Sequence, residues 1–151
     1  LAIQYDTFTL KSLREYVRSF KGVKTKFLFG IYSRENDEHI GNITVYDINY
    51  NTGTFDIGYF IGEKSYWGSS AATETILLGL KFGFDCLGLR KFFGGTHANH
   101  IKSRFILNKL GFTQEARLKG YLFFEGKPSD RIIYFMDRAE WPQIKRRFGI
   151  N

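Results

Sequence analysis

Apolar residues recur along the chain with two different periods, and the switches between them mark out its elements. Leu10, Leu13, Tyr16, Val17 and Phe20 are spaced three and four apart behind Thr9, with Gly22 beyond them. That pattern predicts an amphipathic helix capped by Thr9 and stopped at Gly22. From residue 26 the pattern becomes short runs rich in β-branched and aromatic residues: 26–32, 40–48 and 54–61. The polar stretches between them, 33–39 with His39 at its end and 49–53, carry the Asn, Asp and Gly of turns, so an antiparallel meander is expected. After Gly62 the helical period returns, with Ala72, Ile76, Leu80 and Phe84 four apart and Leu87 closing the stripe before Gly88.

Residues 91–97 read as a strand, and Asn99 as the cap of a second helix that carries Ile101, Phe105, Ile106 and Leu110 and ends at Gly111. Residues 112–118, 121–124 and 131–136 are further strand candidates, with a turn over 125–130. Residues 137–140 have a capping-box pattern, but Pro142 argues against a helix through them. The expected end is therefore a turn and a solvated basic tail with Lys145, Arg146 and Arg147. Hairpins followed by a β-α-β-α order predict an α/β (α+β) domain whose mixed sheet is mostly antiparallel, with one parallel crossover.

A chain of 151 residues fits a single domain, 1–151. At 43% hydrophobic and 25% charged it is neither disordered nor fibrous, and 16 Phe with 9 Tyr suit a half-buried sheet. No apolar run approaches the roughly 18 residues of a membrane span, and no export pattern opens the chain. The single cysteine, Cys86, excludes an intrachain disulfide and is expected to be a buried apolar filler beside Leu87. A cytoplasmic protein without membrane partners is the expectation. The net charge of +7 favours anionic partners, and an anionic cofactor satisfies it as well as nucleic acid does.

Candidate chemistry begins at residues 63–74, Glu-Lys-Ser-Tyr-Trp-Gly-Ser-Ser-Ala-Ala-Thr-Glu, between a strand and a helix. Small residues there let backbone N–H groups converge on an anion at a helix N-terminus, although close packing explains small residues equally well. Neither a Walker loop nor a dinucleotide fingerprint is present. Asn99 and Ser103, four apart, share a helical face. His97 and His100 have the spacing of a metal pair, but neither a third His nor a carboxylate completes a site, and no metal is expected.

Together, Asp56-Ile-Gly-Tyr-Phe-Ile61, Tyr66-Trp-Gly-Ser-Ser-Ala-Ala-Thr-Glu74, Asn99-x-x-x-Ser103 and Lys109-Leu-Gly-Phe112 resemble the GNAT superfamily of acetyl-CoA-dependent N-acetyltransferases. The resemblance runs from about residue 27 to 141 and is closest to the branch that acetylates ribosomal-protein N-termini and sugar-nucleotide amines. It implies acetyl-CoA as co-substrate. The family loop Q/R-x-x-G-x-G/A is represented by Ser65, Gly68 and Ser70, so the backbone of Gly68, Ser69, Ser70, Ala71, Ala72 and Thr73 would hold the pyrophosphate. Tyr59, Phe60 and Ile61 would pair with the pantetheine arm, the amide of Phe60 or Ile61 facing the thioester oxygen, and Asn99 would bind the pantetheine side. The position of the usual thiol-protonating tyrosine is Leu107 here, which leaves Ser103 as donor near the sulfur. A glutamate used as base by some relatives falls at Leu122, so Asp56 is the first candidate base and His97 the runner-up.

The implied reaction is acetyl transfer to a primary amine of a small molecule such as an amino sugar. The alternatives are a protein N-terminus as acceptor, or a non-catalytic module that binds coenzyme A or nucleic acid. Family members also begin with a strand and helix not visible here. A truncated N-terminus is therefore expected, and the exposed sheet edge makes a homodimer plausible.

Overall fold

The computed structural model describes residues 9–124 and 126–150. In chain order the elements are α1 (Leu10–Arg18), β1 (Phe27–Tyr32), β2 (His39–Asn49), β3 (Thr54–Ile61), α2 (Ala71–Lys81), β4 (Lys91–His97), α3 (Ile101–Leu110), β5 (Thr113–Phe124), β6 (Lys127–Asp137) and α4 (Trp141–Phe148). The strands form one six-stranded sheet in the order β1-β2-β3-β4-β6-β5. Only β3 and β4 run parallel, joined through α2, and the other neighbours are antiparallel. The mixed, mostly antiparallel sheet with one crossover is the architecture the periodicity predicts. The missing opening strand was expected upstream of α1, where residues 1–8 lie outside the described residues.

The core lies on the face of the sheet covered by α2, α3 and α4. Ile76, Leu77, Leu80 and Phe84 pack with Val45, Phe55, Phe92, Ile132, Tyr134 and Met136. Phe84 and Phe92 both meet Phe55 edge-on, with ring centroids 5.2 and 5.9 Å away. Gly79 brings α2 close to the sheet, since a Cβ there would lie 2.9 Å from methyl groups of Ile43 and Ile57. Among the described residues no helix is long and apolar enough to cross a membrane.

Several local expectations give way to packing. Thr9 caps α1, accepting from the Ser12 N–H at 3.1 Å, but the helix ends at Arg18 and Gly22 lies in the turn beyond. The apolar face of α1 is open to solvent, Leu10 being 73% exposed. Downstream of α2 the backbone widens into a π turn, Phe82–Cys86, in which the Leu87 N–H reaches the Phe82 carbonyl at 3.0 Å. The extra residue keeps Phe84 and Leu89 in the core and turns Cys86 outward, so the cysteine is exposed rather than a buried filler. On α3 the cap is His100, whose Nδ1 accepts from the Ser103 N–H at 3.2 Å, and not Asn99. The inward residues of α3 are accordingly Ile106, Leu107 and Leu110, while Ile101 and Phe105 face solvent. The two strand candidates around residues 112–124 are one strand, β5, with irregular pairing between Leu118 and Leu122.

The C-terminus departs most from expectation. Asp137 and Glu140 form a reciprocal capping box, and α4 begins immediately after it. Pro142 occupies the first turn, where no intrahelical N–H is required, so it starts the helix instead of breaking it. Lys145 is not a solvated tail residue but pairs with Asp85 at 3.2 Å, beside the 3.0 Å bond from the Trp141 indole N–H to the same carboxylate. Trp141 is 1% exposed and anchors α4 to the end of the core. Trp141→Ala should therefore cost about 3–5 kcal/mol of stability, measured by denaturant unfolding.

Candidate active site

The site is built where the parallel pair comes apart. β3 and β4 are in register only at Thr54↔Lys91 and Phe55↔Phe92, after which they diverge. Asp56 is the first residue past this junction, and its side chain fills the opening. A Cβ on Gly94 of β4 would fall on the Asp56 carboxylate, so the absence of a side chain at Gly94 makes room for the acid. Asp56 is 4% exposed. Its Oδ2 accepts from the Tyr46 hydroxyl at 2.9 Å, and its Oδ1 from the Ile57 N–H at 2.6 Å. Arg131 on β6 brings its guanidinium to 4.0 Å from Oδ2.

Burial penalises the charged form of Asp56 more than these partners favour it, and the carboxyl is pushed up to about 7. An unperturbed aspartate is too weak a base for an amine near neutrality, and this displacement removes that objection. Burial, helped by the adjacent Asp56, also raises the Tyr46 phenol, which stays protonated and able to donate.

Alternation along β3 puts Tyr59 on the opposite face from Asp56, the face that carries α2 and α3. The Tyr59 hydroxyl faces the side chain of Ser103 on α3. Burial raises the Tyr59 phenol, and the serine hydrogen bond opposes that rise. The carboxylate and this hydroxyl pair thus lie on opposite faces of the sheet along the opening. Leu107 packs inward one turn beyond Ser103, where a phenol would otherwise be expected.

Past Phe55 the backbone of β3 has no strand paired on its β4 side among the described residues. A Cβ on Gly41 would collide with the Phe60 carbonyl, which therefore faces β2. A residue's N–H and C=O share one side of a strand, so the amide of Phe60 also faces β2 while those of Tyr59 and Ile61 face the opening. Of the two amides expected to face the thioester, only that of Ile61 has this orientation. The Trp67 indole N–H donates to the Ile61 carbonyl at 2.9 Å and ties the end of β3 to the loop before α2.

That loop has the form of an anion cradle. Gly68 has φ +85°, which favours glycine. Ser70 has φ −69° and ψ −12°, so serine stands there without strain where the family pattern has a small glycine or alanine. The first helical bond runs from the Glu74 N–H to the Ser70 carbonyl, leaving the Ala72 and Thr73 amides at the open end of α2. The Ala71 amide donates to Ser69 Oγ at 3.2 Å, and the Ser70 hydroxyl to Glu74 Oε1 at 2.5 Å, so the cradle's donors are backbone amides.

The remaining candidates are more peripheral. Asn99 is exposed in the turn before α3. His97, at the end of β4, lies opposite Arg131 and 5.3 Å from the ring of Phe124. Burial and nearby positive charge, including His100 and Arg131, lower its pKa. Leu122 is paired with Ser129. The sequence reading missed Tyr46, Arg131 and the side chain of Tyr59. Tyr46 could have been found by counting back through the 49–53 turn to the residue opposite Asp56, but the irregular pairing between Tyr46 and Asn49 obscures that count.

These features define a class of protein in which a parallel strand pair parts beside the open N-terminus of a helix. The acetyltransferase (GNAT) domain family matches residues 3–113, and the chain belongs to that family. It is 30% identical over 131 residues to the SPbeta prophage-derived N-acetyltransferase YokL of Bacillus subtilis, covering 86% of this chain and 72% of the relative. It is 28% identical over 113 residues to the N-acetyltransferase p20 of Bacillus licheniformis, covering 75% of this chain and 63% of that protein. It is 23% identical over 128 residues to the ribosomal protein uS5-alanine N-acetyltransferase of Escherichia coli, covering 83% and 64%. The chain thus spans less than two thirds of the length of some of these relatives. A spermidine N-acetyltransferase from Vibrio cholerae, in complex with CoA and spermine, shares the fold with a TM-score of 0.83 at 18% identity, covering 90% of this chain and 79% of that one.

Two measurements test the packing around Asp56. The folded protein holds the carboxyl proton more tightly than the unfolded chain, so the acid's contribution to stability is full below about pH 4 and declines as pH rises to about 7. Asp56→Asn should remove this slope, gaining on the order of 4 kcal/mol relative to wild type between pH 4 and pH 8 in denaturant titrations. Gly94→Ala should force the carboxylate aside and lower stability by about 1–3 kcal/mol.

Proposed function

We propose that the protein is an N-acetyltransferase that moves the acetyl group of acetyl-CoA to a primary amine of a small molecule, an amino sugar being the type expected from the sequence. The observation that carries this reading is the buried Asp56 in the opening between β3 and β4, with the Tyr59–Ser103 pair on the opposite face. A module that only bound coenzyme A or nucleic acid would need no desolvated carboxylate at that position.

The residues present fit the co-substrate. The open amides at the start of α2 suit a pyrophosphate, and the unpaired edge of β3 suits the amide-bearing pantetheine arm as an added strand. When bound, acetyl-CoA supplies the activated acyl group as a thioester. The amides of Tyr59 and Ile61 face the side where the thioester oxygen gathers negative charge, a stabilisation usually among the largest available to acyl transfer. Asp56 takes a proton from the attacking amine, directly or through water, and its raised pKa matches that task near neutral pH. Ser103, beside Tyr59, supplies a proton to the departing thiolate. His97, with a lowered pKa, stays neutral and takes second place as base.

An amine screen with acetyl-CoA, read by thiol release, tests the reading, and absence of turnover with every amine would overturn it. Asp56→Asn should lower kcat by about 10²- to 10⁴-fold while leaving acetyl-CoA affinity within a few-fold. Ser103→Ala and Tyr59→Phe should each lower kcat by about tenfold or more, consistent with lost proton donation. The wild-type rate should rise with pH through an apparent pKa near 7, a limb that Asp56→Asn abolishes.

A further inference from the structure

Arg131 occupies an unusual position for a surface-strand arginine. It projects from β6 across β4 at Gly95, where a Cβ would lie 2.7 Å from its Nε, and reaches the opening that holds Asp56. Its closest approach to the carboxylate, 4.0 Å, is too long for a hydrogen bond, and both Asp56 oxygens already accept from Tyr46 and Ile57. The guanidinium makes no hydrogen bond among the described residues. It rests beside the ring of the exposed Tyr121, 5.8 Å from the centroid, with its side chain 30% exposed. Five N–H donors in a planar fork are therefore presented to the acceptor side of the site.

Two other unsatisfied polar groups share this face. Ser129 precedes Arg131 by two residues on β6 and so projects from the same side of the sheet. It is 6% exposed, and its hydroxyl has no partner. His97 lies directly opposite Arg131 on β4, and both of its ring nitrogens are shielded without a hydrogen bond. Buried polar groups are ordinarily paired, so a shielded serine and histidine without hydrogen bonds, on the face where Arg131 presents a guanidinium 30% exposed and only 4.0 Å from Asp56, indicate donors built for a ligand.

We infer that the acceptor carries an anionic group, a carboxylate or a phosphate, close to its reacting amine, and that Arg131 binds that group. This deepens the proposed acetyltransferase reading and rests on it. The same geometry argues against a polyamine, because a fixed positive charge beside the base repels an acceptor whose other end is cationic. The spermidine acetyltransferases that share this fold therefore do not define the acceptor here. An acceptor with both groups would place its ammonium against Asp56 and its anion in the guanidinium fork, and the two contacts would orient the nitrogen at the opening.

The test compares matched pairs that differ only in the anion: alanine against alaninamide for the carboxylate, and glucosamine against its phosphate ester for the phosphate, with spermidine as a polyamine control. Binding to the CoA-bound protein is measured by calorimetry, and turnover with acetyl-CoA by thiol release, for wild type, Arg131→Gln and Arg131→Lys. Thermal unfolding verifies that each variant is folded. At least one anion-bearing member should be preferred over its neutral partner by about ten- to a hundredfold in wild type, the size of a charge-assisted bidentate contact. That ratio should fall to near one in Arg131→Gln and lie between in Arg131→Lys, which keeps the charge but loses the fork. The pair that shows the preference identifies the anion. A ratio near one in wild type, a ratio that survives Arg131→Gln, or spermidine as the best ligand overturns the inference. A binding preference that depends on Arg131 without turnover of any amine upholds the anion site and counts against the transferase. Turnover without the preference does the reverse.

Discussion

The site depends on a parallel strand pair that ends after two residues. Were β3 and β4 paired along their length, the amides of Tyr59 and Ile61 would be consumed in the ladder, and Asp56 would stand opposite Phe93 with no opening for its carboxylate to fill. Because pairing stops at Phe55↔Phe92, one carboxylate is drawn into the vacated space and one edge of backbone is left without a strand beside it. The rest of the sheet is continuous around this defect, and the antiparallel pairs on either side hold the two strands in their diverging paths. Phe55 and Phe92, the last paired residues, meet edge-on with Phe84 packed against Phe55 below them.

Desolvation then turns geometry into chemistry. Asp56 is bonded to Tyr46 and to its neighbour's amide, and Arg131 is nearby, all of which favour the anion, yet burial outweighs them. The acid is poised because those favourable contacts are strong enough to keep it from remaining protonated throughout the neutral range and too weak to restore an ordinary aspartate. On the proposed reading, Tyr46 and Arg131 are therefore as much a part of the base as the carboxyl group itself. The position of Arg131 is the more adaptable of the two, since it approaches Asp56 only to 4.0 Å and its fork makes no hydrogen bond among the described residues.

The order of helices and strands up to β4 and α3 and the single parallel crossover were legible in the amino-acid sequence, because they follow from periodicity and from small residues at a strand-to-helix junction. The cluster Tyr46, Asp56 and Arg131 was only one-third legible. Asp56 stands in a recognisable strand motif, but its partners come from strands ten residues before and seventy-five after it, and irregular pairing on β2 hides the register that would join them. Local rules also failed where tertiary packing overrode them. Pro142 read as a breaker because its value at a helix start depends on the capping box just upstream, and Cys86 read as core because a π turn cannot be foreseen from a four-residue stripe. On α3, His100 displaced Asn99 as cap, and the inward stripe rotated with it.

The placement of acid and hydroxyls on opposite faces of one sheet has a consequence for proton traffic. On the proposed reading, each turnover leaves a proton on Asp56 and removes one from Ser103 beside Tyr59, and no hydrogen bond among the described residues links the two groups. Each group must then be reset independently through the solvent on its own side. The catalytic cycle would thus resemble two half-cells joined by the transferred group, each exchanging protons with the bulk and neither passing a proton through the protein.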